Sequence, residues 1–387
     1  MIPFDTLVLR PPAAQSIAAE TRGAVSMLMR DLAERGLGSD QVLAVTAFVE
    51  AGREFVEASA AVRYIVREVF GRTPPPITVV AQAPEGPRHV ILEAAVLHDW
   101  DAEIERCSCG PIAYTRIERG ATRQIYCGGI ASDPRVDDTE QQATEAFSAM
   151  SAVLDQESLA FGQVVRQWGY IEGLLDVRPD CPQGHQRYQA FNDVRALFYA
   201  DSEFPAGYPA ATGIGQSAGG VALEFLALDA PSDVRVAPVS NPRQTDAHRY
   251  SGGMLVGEAL EQLGSKATPR FERAKRIVAG DAESILVSGT ASIVGERSVG
   301  VGDVEAQTRT TIDNIATLVG NRGLSRLRAY VRRPGDFATV RRICEEAFGD
   351  IPALYVQADV CRDDLLVELE GTLRVESRLP AAHGDRS

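Results

Sequence analysis

Leu286-Val-Ser-Gly-Thr-Ala-Ser-Ile-Val294 reads as a buried strand running into a glycine turn, and the reading of the fold starts there. A helix follows near Asp303 to Val319, then a strand at Leu327 to Val331. The stretch closes on Leu354-Tyr-Val-Gln-Ala-Asp-Val-Cys-Arg-Asp-Asp-Leu-Leu-Val-Glu-Leu-Glu370. Leu365, Leu366, Val367 and Leu369 make its end an apolar strand that contains two carboxylates, Glu368 and Glu370. Side chains alternate faces along a strand, so these two share one face. A carboxylate among apolar residues and beside a second carboxylate should have a raised pKa, which describes a candidate general acid. The plain alternative is a solvated face with both glutamates at the surface.

The same grammar occurs earlier in the chain. Arg123-Gln-Ile-Tyr-Cys-Gly-Gly-Ile-Ala-Ser132 precedes Thr139-Glu-Gln-Gln-Ala-Thr144, a helix to Leu154, and a strand from Val164 to Tyr170. Ser284 to Ser292, Asp303-Val-Glu-Ala-Gln-Thr308 and Leu327 to Val331 repeat that order. Two units are too few for a solenoid. They imply two similar α/β domains in tandem, each a mixed sheet packed by helices. The polar joint Pro179 to Gln186 sets the boundary: a degenerate domain over 106–182 and a second domain over 183–375. Residues 1–105 are an N-terminal extension without a catalytic motif. Its first part looks helical, with Ser39-Asp40 as a cap before Val42, Leu43, Val45 and Phe48. Arg72-Thr-Pro-Pro-Pro76 breaks it, and Ile77 to Ala81 and Val90 to Val96 read as strands. The tail over 376–387 is small, polar and expected to be disordered.

Composition narrows the function. The 387 residues suffice for a large core, and 39 basic against 53 acidic residues leave a net charge of −14. Such a chain repels phosphate, so nonspecific nucleic-acid binding is not expected, and an anionic small substrate needs a local arginine cluster. No apolar run is long enough to span a membrane, and Met1 to Thr6 lacks the features of a signal peptide. The six cysteines are too sparse for a disulfide framework, which fits a cytoplasmic protein with free thiols. Cys107-x-Cys109 with Cys127 lacks a fourth metal ligand at a recognised spacing. Thr212-Gly-Ile-Gly-Gln-Ser-Ala-Gly-Gly220 lacks the Gly-Lys-Ser/Thr ending of a phosphate loop and leads into a strand, Val221 to Leu228, instead of a helix. Neither a metal nor an organic cofactor is expected.

Ser288-Gly289, Gln307-Thr308 and Val367-Glu368-Leu369-Glu370 resemble the pattern of the YjgF/Rid superfamily, whose fold is chorismate-mutase-like. A further set, in order, is similar to the chorismatases: Tyr208-Pro-Ala-Ala-Thr-Gly-Ile-Gly215, Asn241-Pro-Arg-Gln244, Phe271-x-Arg-Ala274, Val287 to Gly295, and Tyr355-x-Gln-Ala-Asp-x-Cys-Arg362. It covers residues 110–372. The resemblance implies cleavage of chorismate to pyruvate for secondary metabolism, without a cofactor, with Glu368 protonating the methylene carbon of the enolpyruvyl ether. Water then gives a 3,4-dihydroxycyclohexa-1,5-diene carboxylate, or the ring's own hydroxyl displaces the pyruvyl group and a hydroxybenzoate forms. Two branch markers conflict: Cys361 resembles the 3-hydroxybenzoate branch and Ala274 the diol branch. The 3-hydroxybenzoate route is favoured, because a thiol near the ring assists proton relay.

Chorismate carries two carboxylates, so two cationic anchors are expected among Arg243, Arg273 and Arg332 or Arg333, with Tyr250 and Tyr208 as hydroxyl donors. For each arginine the alternative is a surface ion pair. Ser251 to Lys266 departs from the family pattern and puts the substrate lid in question. A Rid-type imine deaminase is a second reading, but it calls for an arginine where Ala353-Leu-Tyr355 stands. A binding protein for a small aromatic acid is a third. Rid folds work as trimers, whereas a tandem repeat can replace packing between subunits by packing within one chain. Monomer and homotrimer are both open.

Overall fold

A computed structural model describes residues 1–177, 184–257, 259 and 264–375. Most of the expected joint at residues 179–186, Cys181, part of the 251–266 segment and the tail lie outside the described residues. The chain forms three units built to one plan. The first contains β1 (Asp5–Leu9), α1 (Ile17–Glu34), β2 (Val42–Val49), α2 (Phe55–Phe70), β3 (Ile77–Val80) and β4 (Val90–Val96). The second contains β5 (Glu103–Cys109), β6 (Ile112–Arg119), β7 (Thr122–Ala131), α3 (Thr139–Gln156), β8 (Val164–Glu172), α4 (Arg187–Tyr199), β9 (Ala210–Gln216) and β10 (Val221–Asp229). The third contains β11 (Arg235–Val239), β12 (Ala274–Ala279), β13 (Ala282–Ala291), the short hairpin β14 (Ile293–Val294) and β15 (Arg297–Ser298), α5 (Val304–Leu318), β16 (Arg326–Val331), α6 (Phe337–Phe348), β17 (Ala353–Gln357) and β18 (Val367–Val375).

The sheets run β1-β4-β2-β3, β5-β6-β7-β10-β8-β9 and β11-β12-β13-β18-β16-β17. Without the leading hairpin strands of units two and three, all three have one strand order and one parallel pair at the edge. The local signals also recur. Ser16, Asp138 and Asp303 each cap the following helix by accepting a backbone N–H. Gln41 and Gln163 each accept an amide three residues back, at the turn that launches β2 and β8.

The expected tandem of mixed-sheet α/β units is therefore present, but it is threefold, and two expected boundaries move. The stretch expected as an extension, residues 1–105, is instead a unit from β1 through β4, and its last residues already belong to β5 of the second. Val42 to Val49 is a strand rather than a helix: all eight residues are buried, so its apolar run shows no alternation to read. The second unit runs past residue 182 to Asp229, because β10 lies between β7 and β8 and bonds to both. Cutting the chain before it would remove the middle of the sheet.

Each helix pair covers one face of its own sheet with a separate apolar core. The opposite faces of all three sheets meet in a shared core that includes Phe48, Val80, Trp168, Tyr170, Leu226, Leu286, Tyr330 and Val356. Strand register makes the equivalence explicit. Phe48, Tyr170 and Tyr330 pair with Ile91, Ala222 and Glu368 on the closing strands. Two residues on, Thr46, Trp168 and Arg328 pair with Glu93, Glu224 and Glu370.

Those last three glutamates join the units into a ring. Glu370 of the third unit accepts from Arg166 Nη2 at 2.7 Å, Trp168 Nε1 at 2.8 Å and Thr212 Oγ1, all on the second. Glu93 of the first accepts from Arg326 Nε at 2.6 Å and from Arg328 Nε, both on the third. Glu224 of the second accepts from Thr46 Oγ1 of the first at 2.6 Å and from Tyr170 OH at 2.9 Å. The contacts run head to tail and close, as in a cyclic trimer, but within one chain. Among the described residues no helix is long and apolar enough to cross a membrane.

Candidate active site

A cleft that encloses about 750 Å³, including space continuous with solvent, lies where β13 and β18 of the third unit face α4 and β9 of the second. Glu368 projects into it from β18, and its residue is 5% exposed. The alternation expected along this strand holds: Val367 and Leu369 enter the core beneath α5 and α6, while Glu368 and Glu370 point the other way. Gly289 on β13 makes room for the acid, since a Cβ there would fall on Glu368 Oε1. Its amide donates to Thr212 Oγ1 at 3.0 Å, and that hydroxyl also reaches Glu370.

The two glutamates are driven apart electrostatically. Burial, then the negative charge of Glu370, raises Glu368 to about 8; Arg166 and Arg273 only partly oppose this. Burial pushes Glu370 upward too, but Arg166, Arg328 and Arg326 outweigh it, with help from Thr212, and hold it at about 2. At neutral pH the pocket therefore contains a protonated acid, with a fixed carboxylate behind it. Pairs of carboxyls separated in this way mark acid–base sites.

The cationic side of the pocket is made by Arg273 and Arg362. Arg273, just ahead of β12, donates to Thr245 O and to Tyr250 OH, the latter at 2.7 Å. Its Nε is buried without a partner among the described residues. Arg362 donates to Glu296 O at 2.8 Å. Both guanidinium carbons lie near the Tyr250 ring, 5.5 Å and 5.4 Å from its centroid. Cys361 lines the same wall; burial, then the charge of Glu368, pushes its thiol up to about 12, so it stays protonated. Tyr188 and Gln189 come from α4, Ala211 and Gly213 from β9, and Met254, Leu255 and Val256 from the segment that departs from the family pattern.

Of the residues expected from sequence, the structure brings together Glu368, Cys361, Tyr250 and Arg273. It places the others elsewhere. Arg243 is exposed and pairs with Asp313 at 3.3 Å. Arg332 pairs with Asp359 at 3.2 Å and with Asp363. For both, the surface ion pair applies, as an acidic chain offers many partners; Arg333 is exposed as well. Tyr208 stacks on Tyr199, with centroids 6.1 Å apart, and packs against Phe204 and His248. Ala274 is fully buried in the core of the third unit, because the residue after Arg273 on a strand must face the other way. Sequence reasoning passed over Arg362, Tyr188 and Gln189. Arg362 stood beside Cys361 in a quoted motif, and the other two lie in the polar, aromatic run His185 to Arg195. Among the described residues no group of three or more His, Cys, Asp or Glu side chains could hold a metal ion.

Comparison with known proteins agrees with this architecture. The family model for the N-terminal part of FkbO/Hyg5-like chorismatases matches residues 101–227, close to the span of the second unit. A 3-hydroxybenzoate synthase of Streptomyces hygroscopicus is 36% identical over 270 residues, covering 64% of this chain and 73% of the relative. A chorismatase of the same species is 29% identical over 370 residues, covering 89% of this chain and 99% of its own length. A crystal structure of a chorismatase covers 96% of this chain and 98% of its own, at a TM-score of 0.66 and 22% identity, which shows a shared fold across all three units.

Proposed function

The chain belongs to the chorismatase family of enzymes, and we propose that it cleaves chorismate to pyruvate and 3-hydroxybenzoate with Glu368 as the acid. The observation that carries this reading is the neutral, buried Glu368 facing two arginines across one pocket. Arg273 and Arg362 grip the two carboxylates of the substrate, and Tyr250 spaces the two guanidinium groups. Glu368 gives its proton to the methylene carbon of the enolpyruvyl ether. Positive charge then develops on the ether carbon, and the bond from its oxygen to the ring weakens. The ring's neighbouring hydroxyl attacks the ring carbon that bears the ether and loses its proton to the Glu368 carboxylate, while the ring carbon–oxygen bond breaks and the ether oxygen leaves as the keto oxygen of pyruvate. The epoxide so formed opens, the ring loses a proton, and the oxygen that stays on the ring gains one, which gives the hydroxybenzoate. No water is consumed: the ten carbons of chorismate divide into pyruvate and a hydroxybenzoate of the same total composition.

Water, were it admitted, would compete for the ether carbon and yield the diol. Met254, Leu255, Phe271 and Ile293 give the pocket an apolar wall against it, and Cys361 adds a thiol that can shuttle a proton without being a nucleophile. The 36% identical relative bears the name 3-hydroxybenzoate synthase, which supports the same branch. The test is incubation of purified protein with chorismate in ¹⁸O-labelled water, with products separated by liquid chromatography and mass detection. Equal amounts of pyruvate and 3-hydroxybenzoate, the latter unlabelled, are expected. A dihydroxycyclohexadiene carboxylate in place of the aromatic acid would move the enzyme to the hydrolytic branch, and absence of pyruvate would sink the reading. Cys361→Ala should shift the product ratio toward the diol; an unchanged ratio removes Cys361 from product choice.

A further inference from the structure

Three like units arranged in a ring make three like clefts. The first is the Glu368 pocket. The second, where β7 and β10 face α2 and β3, is shut. The Gly129 amide donates to Thr78 Oγ1 at 2.7 Å, and Arg63 from α2 lies across the opening with Nη1 on Ile77 O at 2.8 Å. The third, between Arg10 and Arg88 at the ends of β1 and β4 of the first unit and α6 and β17 of the third, is open. It encloses about 1190 Å³, including space continuous with solvent.

Strand register shows what has changed there. Ala353 and Tyr355 pair with Leu327 and Ala329 as Ala211 and Gly213 pair with Gln167 and Gly169 in the Glu368 cleft. Tyr355 thus brings a ring where the active cleft has glycine. Ile91 stands in the position of Glu368, so the cleft has no acid on its closing strand. Arg10, Arg88 and Arg341 line it instead. Arg341 is paired with Glu85 and lies 5.6 Å from the centroid of the Tyr355 ring. Arg10 donates to Ala353 O, and Arg88 Nε to Pro11 O at 2.6 Å. Neither is bonded to a carboxylate among the described residues. Glu345 and Asp350 lie on the exposed rim, and Phe348, Ile351 and Leu327 supply an apolar floor beside Tyr355. Burial, followed by repulsion from Arg341 and Arg88, lowers the pKa of Arg10, as expected of cations gathered without enough counter-charge.

We propose that this third cleft is a binding site for a small aromatic carboxylate, its carboxylate held by Arg10 and Arg88 and its ring resting on Tyr355 and Phe348. The site is separate from the one that performs the proposed reaction and has no acid on its closing strand. It binds and does not turn over.

The probe is 3-fluorobenzoate, titrated into the full-length protein and followed by ¹⁹F NMR. A saturable component is expected that weakens at least tenfold in Arg10→Gln and in Arg88→Gln and persists in Arg273→Ala. Thermal unfolding of the two glutamine variants checks that they fold, and Arg10→Lys, which keeps the charge, should retain most of the binding. Unlabelled benzoate should displace the probe far better than inorganic phosphate. Binding unchanged in both glutamine variants overturns the proposal, as does binding abolished by Arg273→Ala alone, which would assign it to the Glu368 pocket. Equal displacement by phosphate would show a plain cationic patch and overturn the aromatic part.

Discussion

The cleft that holds Glu368 and the cleft that Arg63 closes are made of the same parts, yet one is a pocket and the other is filled. In both, a glycine amide on the unit's first long strand donates to a threonine of the neighbouring unit, Gly289 to Thr212 and Gly129 to Thr78. In both, a glutamate on the closing strand, Glu370 or Glu224, turns inward to a donor of the next unit. The difference is confined to few positions. The third unit has Glu368 where the second has Ala222, and α4 presents Tyr188 and Gln189 where α2 presents Arg63. The lesson is that the inward glutamates hold the ring, and the single added glutamate is the one to which the proposed chemistry is assigned. Symmetry-related positions within one chain are free to part company, whereas identical subunits would have to carry the same residue at all three.

Four experiments would break or sharpen that comparison. Glu368→Gln should show the largest effect, a fall in kcat of roughly 10²–10⁴-fold with little change in KM, because only the proton donor is lost. A smaller loss would return the acid role to another group. Next, Glu370→Gln should destabilise the fold by about 3–5 kcal/mol, since Arg166 and its neighbours would be left buried against a neutral amide. Glu224→Gln, which faces hydroxyls from Thr46 and Tyr170, should lose only about 1–3 kcal/mol. Denaturant unfolding of both reads the contrast, and equal losses would contradict a graded ring.

The third experiment is the pair Gly289→Ala and Gly129→Ala. The first places a methyl on the acid and should lower activity by on the order of 10²-fold through displacement of Glu368. The second puts a methyl 2.5 Å from Ile77 O at a positive φ of 73° and should cost about 1–3 kcal/mol of stability with activity intact. Reversed readouts would mean that the clefts have been assigned the wrong way round.

The fourth is pH. Activity should be level below about pH 8 and fall about tenfold per unit above it, as Glu368 loses its proton. Stability has the matching sign. Between pH 4.5 and 8 the folded protein holds a proton at Glu368 that the unfolded chain has lost, so this carboxyl's contribution declines as pH rises through that window. Glu368→Gln should flatten the decline. Glu370, held at about 2 in the fold, acts oppositely: its contribution is full above pH 4.5 and is lost as pH falls toward 2.

Much of the third unit could be read from the sequence. Two glutamates one residue apart on an apolar strand had to share a face, and the inference of a raised pKa for one of them agrees with the structure. That the second would be lowered needed knowledge of Arg166, some two hundred residues away along the chain. The first unit escaped because β2 is buried on both faces and gives no alternation, and because it lacks the glycine-containing strand of the other two, Cys127-Gly128-Gly129 and Ser288-Gly289. Gln41-Val42 and Gln163-Val164, each a glutamine closing a turn before a buried strand, were a usable signal in retrospect. The anchors were missed in part because an arginine's type does not tell whether it meets a substrate or an aspartate. Arg243 and Arg332 meet aspartates; Arg362 does not, and only the loop between β17 and β18 puts it in the pocket.

The closed ring also has a consequence for how the chain comes into being. Glu93 is made early and buried, yet its partners Arg326 and Arg328 follow it by 233 and 235 residues. Until the third unit has left the ribosome, the first has an acid facing its inner side with no cation to meet it, and that side stays exposed. Completion of the first unit is thus tied to synthesis of the third, and contacts this distant along the chain make for slow final assembly. A polypeptide released after residue 230 should remain loosely packed and prone to aggregate, and should gain order when residues 231–387 are supplied as a separate fragment.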